Sequence, residues 1–297
     1  MRSDVWAWWP DGRVVRISPG DGAYLQANVH PDGDGAVFWG GPDGSRPRLW
    51  RSPTDRADAI PLTGDDHGAR HPTFGAGGTR IVFSADRAHG GTGTMADEGP
   101  AGTPPSGSWN IFSMAPDGSD VRQLTHGEHV DQRPALCADG TRVAFVSDRG
   151  RGLWLVDADG TSEPRQIGAG LLLYRPAWAP DGTALFTFRI TAERRQAGRL
   201  DLATGEFVPF ANDDRGNTHG PWPDPSGEVL LVHSDRDGRW GLHELPLDGG
   251  PMRPLRPPGH EDAICAHATR ATNGVVTFDE AAMTDLTDRG ATPPRAR

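Results

Sequence analysis

The chain contains no lysine, so all 30 of its basic side chains are arginine. Lysine Schiff-base and lysine general-base mechanisms are thereby excluded, and basic chemistry falls to arginine and to 11 histidines. Cysteine is nearly absent as well. Cys137 and Cys265 are too few for a disulfide framework and suit a reducing compartment. No apolar run approaches the roughly 18 residues of a membrane span. The first 15 residues, with Asp4 and a turn at Asp11-Gly12, lack the continuous apolar core of a secretory signal. A soluble, cytoplasmic protein is expected. The 40 acids outweigh the bases to give a net charge of −10, which argues against nucleic acid or an anionic membrane as the main partner. There is no Gly-x-Ser-x-Gly elbow, no His-Glu-x-x-His, no Cys-x-x-Cys pair and no glycine-rich phosphate loop between a strand and a helix.

What the chain has in abundance is punctuation: 40 glycines and 27 prolines in 297 residues, against an apolar fraction of 35%. Without a three-residue period, that balance indicates many short strands joined by many turns. The stretch 109–150, WNIFSMAPDGSDVRQLTHGEHVDQRPALCADGTRVAFVSDRG, shows the pattern in full. Runs of about five residues with period two alternate with Asp-Gly turns, which is the grammar of antiparallel hairpins. The glycine closing the turn before the last run recurs at Gly35, Gly78, Gly140, Gly182, Gly227 and Gly274, at spacings of 43, 62, 42, 45 and 47 residues. Four of these intervals lie near the length of a four-stranded propeller blade. The long one holds an insertion over 88–108, too rich in Gly, Pro and Ser to form a core.

Residues 109–150 resemble the TolB-like, or WD40-like, propeller repeat, in which a turn bearing Asp-Gly leads to Leu-Thr and then to Pro-x-Trp-Ser-Pro-Asp-Gly and a strand ending Ser-Asp-Arg. The resemblance extends over about residues 23–279. It implies an all-β fold: a six-bladed β-propeller of four-stranded antiparallel blades. The last repeat stops near Phe278, without its outer strands, and the first 20 residues read as such an outer pair. The N-terminal strands are therefore expected to complete the last blade and close the ring, leaving no exposed edge. One propeller over residues 1–280 is expected, with 88–108 as a loop on its top face and 281–297 as a flexible tail.

In such a ring, residues entering the innermost strands gather at the mouth of a central channel. Counting back from the proline position of the repeat gives Asn28, His71, Arg133, Arg175, Gly220 and His267; one step earlier stand Ala27, Arg70, Gln132, Tyr174, His219 and Ala266. Two readings of this mouth stay open. In the first it is the recognition site of a TolB-like module, with Arg70, Gln132, Arg133 and Arg175 holding a small anionic ligand or a protein partner, since guanidinium forks suit carboxylates and phosphates. In the second it resembles the site of propeller lyases that hold a metal with histidines. His71, His219 and His267 would then bind a divalent ion, Arg133 and Arg175 would grip a carboxylated small molecule or oligosaccharide, and His219, His267 or Tyr174 would move the proton. A monomer is expected in either case. Polar residues at strand starts also cap backbone groups, so each single assignment competes with a purely structural role. The repeated Ser147-Asp148-Arg149 and Ser234-Asp235-Arg236 are expected to brace neighbouring blades. His126 and His129 fall in a solvated loop, and Glu261 and Asp262 beside His260 fall in its counterpart in the last repeat.

Overall fold

Asp-Gly turns build the molecule locally. Asp11, Asp117, Asp139, Asp159 and Asp181 each accept the backbone N–H two residues on, at 2.9–3.0 Å. The side chain thereby stands in for a backbone acceptor while the following glycine takes a positive φ, 74° at Gly140. At Asp139 the Cys137 thiol, the Thr141 hydroxyl and the Thr141 N–H together hold the carboxyl at about 2.

The computed structural model describes residues 2–87 and 107–281. Every sheet in it is antiparallel within each four-strand group. Four groups are separate sheets, and each runs from an inner strand outward. These are β7 (Ala69–Gly75), β8 (Arg80–Ala85), β9 (Asn110–Met114) and β10 (Arg122–Gln123); β11 (Asp131–Leu136), β12 (Arg142–Ser147), β13 (Leu153–Asp157) and β14 (Arg165–Ile167); β15 (Leu173–Trp178), β16 (Ala184–Ile190), β17 (Arg195–Asp201) and β18 (Phe207–Pro209); and β19 (Thr218–Pro223), β20 (Val229–Ser234), β21 (Gly241–Pro246) and β22 (Arg253–Leu255). The remaining strands form one eight-stranded sheet. It joins β3 (Ala23–Val29), β4 (Gly35–Gly41), β5 (Arg48–Pro53) and β6 (Ile60–Pro61) to β23 (Ile264–Arg270), β24 (Val276–Ala281), β1 (Ser3–Trp8) and β2 (Val14–Arg16).

Six separate four-stranded sheets were expected; the structure has five sheets. The difference arises where β1 touches β3: Ser3 pairs with Ala23 in parallel, and that single pair fuses two groups. The N-terminal strand does pair with the last one, in register from Ser3 opposite Ala281 to Trp8 opposite Val276. The loop expected over 88–108, save its last two residues, and the tail expected from 281, save Ala281 itself at the end of β24, lie outside the described residues.

The inner strands contact one another in succession, β3 with β7, then β11, β15, β19 and β23, and β23 again with β3. Strands packed on both faces need not alternate, and β3 and β4 are buried at all seven positions. Side chains sew neighbouring groups together. Asn28 Oδ1 accepts the Phe74 N–H at 2.7 Å, the Thr73 hydroxyl donates to the Pro134 carbonyl at 2.9 Å, and the Trp178 indole donates to the Ala135 carbonyl at 2.8 Å. Between last and first groups, Thr269 Oγ1 accepts the Val29 N–H at 2.9 Å. Thr269→Val keeps the shape but strands that buried donor, so urea unfolding should show a loss of about 1–3 kcal/mol. An unchanged midpoint would mean that this seam is not held by the hydroxyl.

Candidate functional site

Each inner strand breaks register with its neighbour at one place: between Leu25 and Asn28, Arg70 and Thr73, Gln132 and Ala135, Tyr174 and Ala177, His219 and Trp222, and Ala266 and Thr269. Inside every break sits a residue with left-handed backbone. They are Gln26 (φ 55°), His71 (55°), Arg133 (56°), Arg175 (55°), Gly220 (57°) and His267 (54°). A left-handed conformation disfavours a side-chain-bearing residue by about 1–2 kcal/mol. Among the described residues, the only other non-glycine with positive φ is Asp120. Five strained positions thus converge, and their bulges re-aim the side chains. All six residues line one cavity, partly open to solvent.

The repeats that begin with β3 and β23 have no proline at this position, and in the first of them the count along the sequence slipped. Gln26, not Asn28, holds the ring position; Asn28 is two residues on and serves the seam described above. His71, Arg133, Arg175 and His267 line the cavity as expected from the sequence. Arg70, Gln132, Tyr174 and His219 stand one residue earlier, where strand alternation turns the side chain away, and they are not among its lining residues. Arg70 is fully buried, its guanidinium 5.4 Å from the Trp39 ring centre and 4.7 Å from that of Trp109. Tyr174 stacks with Phe188 at 6.1 Å, and burial raises its hydroxyl above the ordinary phenolic value although Arg133 opposes the shift.

His219 is engaged elsewhere. Its Nε2 lies 2.8 Å from Arg195 Nη1, and because a guanidinium only donates, that nitrogen accepts and the ring is neutral. The ring stacks on Phe188 at 4.9 Å and meets Trp240 and His233 at 4.8 Å each. Burial above all, then His233, Arg195, Arg175 and His267, press its pKa well below the usual imidazole value. His267 is oriented differently: its Nδ1 lies 2.8 and 3.0 Å from the two oxygens of Asp279, which is 2% exposed. Asp279 also accepts the Gln26 N–H at 3.3 Å, tying two ring positions together.

Asp279, His233 and Arg195 escaped the reading of the sequence because they belong to second and third strands. A signal existed. The positions paired with the residue before each bulge are Trp39, Ser84, Val146, Phe188, His233 and Asp279, so the last two repeats place ionisable groups where others carry apolar or small ones.

Of the three histidines considered for a metal, His219 has given its acceptor nitrogen to Arg195 and is not among the cavity-lining residues, whereas His71 and His267 line the cavity together with Arg133 and Arg175. Ser147-Asp148-Arg149 and Ser234-Asp235-Arg236 do not join neighbouring groups as expected; each braces the loop that enters its own inner strand. Asp148 accepts the Val130 N–H and Asp235 the Asn217 N–H, while Arg149 reaches Asp131 and Arg236 reaches Asp214.

No protein-family model matches the chain. Among curated proteins it is 32% identical over 152 residues to a protein TolB homolog of Chlorobium luteolum, covering 50% of this chain and 34% of that one. It is 29% identical over 148 residues to a Tol-Pal system protein TolB of Anaeromyxobacter dehalogenans, covering 47% and 33%. The chain thus spans about a third of the length of these relatives. A structure named for TolB from Agrobacterium tumefaciens superimposes with a TM-score of 0.71 at 14% identity, covering 94% of this chain and 98% of that one. An oligogalacturonate lyase in complex with manganese gives 0.56 at 13% identity, over 90% and 79%. At such identities a superposition speaks for fold alone, and together with the repeat sequence it makes the chain a TolB-like β-propeller.

Proposed function

We propose that the protein is a recognition module whose central cavity receives an anionic group, presented by a protein partner or a small molecule. In this reading the eight-stranded sheet counts as two blades, so that six surround the cavity, and residues 1–280 act as one monomeric, cytoplasmic unit. The observation that carries it is the placement of Arg133 and Arg175, with His71 and His267, on strained positions around one opening of a protein whose net charge is −10. Cationic forks gathered against the overall charge favour an acidic ligand. A protein partner accords with the name of one curated relative, which assigns it to the Tol-Pal system.

Calorimetric titration with oligoglutamate tests the reading. Arg133→Ala and Arg175→Ala should each weaken binding about tenfold or more, the worth of one charge-assisted hydrogen bond, while leaving the melting temperature in place. Wild-type affinity in both variants would sink the proposal.

A second reading, catalysis on a carboxylated substrate, is favoured by one feature: Asp279 orients His267 as a base is oriented. It takes the lyase likeness as fold only and calls on no metal. Release of an unsaturated product from oligogalacturonate by wild type, lost in His267→Ala, is its signature; no turnover by wild type removes it.

A further inference from the structure

One wall of the cavity carries neither arginine nor histidine. It is β3, which contributes Gln26 and Asn28. Both side chains are carboxamides and both are buried, at 9% and 4% exposure. In each, a donor fixes which end of the amide is oxygen. The Trp39 indole N–H, which can only donate, meets Gln26 Oε1 at 3.2 Å, and the Phe74 backbone N–H meets Asn28 Oδ1 at 2.7 Å. The far end of each amide is therefore an NH2 group. Neither NH2 group has a partner among the described residues, and both residues line the cavity. Unspent donors on side chains this buried call for an explanation. Gln26 also holds its place at φ 55°, which a glycine adopts without strain, as Gly220 does in β19.

We infer that this wall is a subsite for neutral carbonyl oxygens of a peptide backbone, which accept the N–H groups of Gln26 Nε2 and Asn28 Nδ2. The inference rests on the anionic-ligand reading of the cavity and narrows the ligand to an acidic peptide. The two amide ends offer donors only, so the ligand has to bring acceptors. An anion is disfavoured at this wall, because the carboxamides are uncharged and the Asp279 carboxylate stands against it, accepting the Gln26 N–H at 3.3 Å. A hydroxyl would bring a hydrogen in need of an acceptor, and Gln26 Oε1 and Asn28 Oδ1 are already taken. A carbonyl oxygen has two lone pairs and no hydrogen, which suits these donors. The acid has its place as well: β15, with Arg175, lies three inner strands from β3 by either route around the ring. A peptide in the cavity thus meets amide donors on one side and guanidinium groups on the other.

Calorimetric titration with oligoglutamate and with an acrylate oligomer of equal charge, whose carboxylates stand on a backbone without carbonyls, tests this at constant ionic strength. Wild type should bind oligoglutamate about tenfold more tightly or better, the worth of one or two hydrogen bonds. Gln26→Glu and Asn28→Asp keep the oxygens that Trp39 and Phe74 require but turn each NH2 group into oxygen. Each should cut that preference severalfold, and comparing the two probes cancels the added charge, which both feel alike. On wild type, ¹H–¹⁵N correlation should show the side-chain NH2 resonances of Gln26 and Asn28 moving with oligoglutamate and staying with the acrylate oligomer; this arm needs no variant to fold. Equal affinity for the two probes overturns the subsite and leaves the anionic reading standing. So does a preference that both variants retain, or NH2 resonances that oligoglutamate leaves in place. Binding of neither probe overturns the anionic reading and the subsite with it.

Discussion

Arg149→Ala is expected to destabilise the protein by about 3–5 kcal/mol, and Arg236→Ala by about 1 kcal/mol or less, although both arginines close the same Ser-Asp-Arg sequence. The difference lies in what each one meets. Arg149 bonds to Asp131, whose side chain is fully buried and whose Oδ2 has no hydrogen-bond partner, so the carboxylate depends on this one guanidinium. Arg149 also donates to Ser147 Oγ at 2.8 Å and to the His126 carbonyl at 3.2 Å. Removing it leaves a charge in the interior with no counterpart. Arg236 instead pairs at 3.0 Å with Asp214, whose side chain is 62% exposed and which water can solvate unaided. Urea unfolding at constant slope reads both values. Asp131→Ala added to Arg149→Ala should recover part of the loss, because it removes the stranded charge. Equal losses at the two arginines, or no recovery in the double variant, would contradict the account.

That contrast shows what a linear sequence displays and what it withholds. Asp-Gly turns were legible because their chemistry is local: an aspartate, a glycine and an N–H two residues away. The pairing of β1 with β24 was legible because the final repeat lacked its outer strands. Arg133, Arg175 and His71 could be placed because a proline follows each and marks the strand entrance, and His267 because the spacing of the repeats puts it at the same position. In the β3 repeat, which has no proline at this position, the count went to Asn28 and passed over Gln26, since there only the bulge, a property of pairing, identifies the ring residue. Side-chain direction was equally hidden. His219 and His267 look alike in sequence, yet one residue of register places the first against Arg195 and the second on the cavity with Asp279. The fusion of two strand groups through Ser3 and Ala23 depends on a single parallel pair that no pattern announces.

A second large effect is expected from pH. Between about pH 7 and 5 the protein should lose stability steeply, by up to about 1.4 kcal/mol per pH unit for each of His219 and His233. Both imidazoles sit well below the ordinary value of 6.5, burial being the first cause in each. For His233 the further causes are His267, Arg175, Arg195 and His243, the last of these itself 3.0 Å from Asp237. With folded pKa values depressed, the unfolded chain takes up two protons near pH 6.5 that the folded chain refuses. Stability is therefore full above that value and falls as the pH drops toward the folded-state values. The turn carboxylates act lower: Asp139, held at about 2 against an ordinary 3.8, contributes stability above 3.8 that is lost as the pH falls toward 2. The two windows do not overlap, so urea midpoints measured from pH 8 to pH 5 separate the histidines from the turn carboxylates. His233→Phe should reduce the slope to about half. A slope that His233→Phe leaves unaltered would place the titrating groups elsewhere.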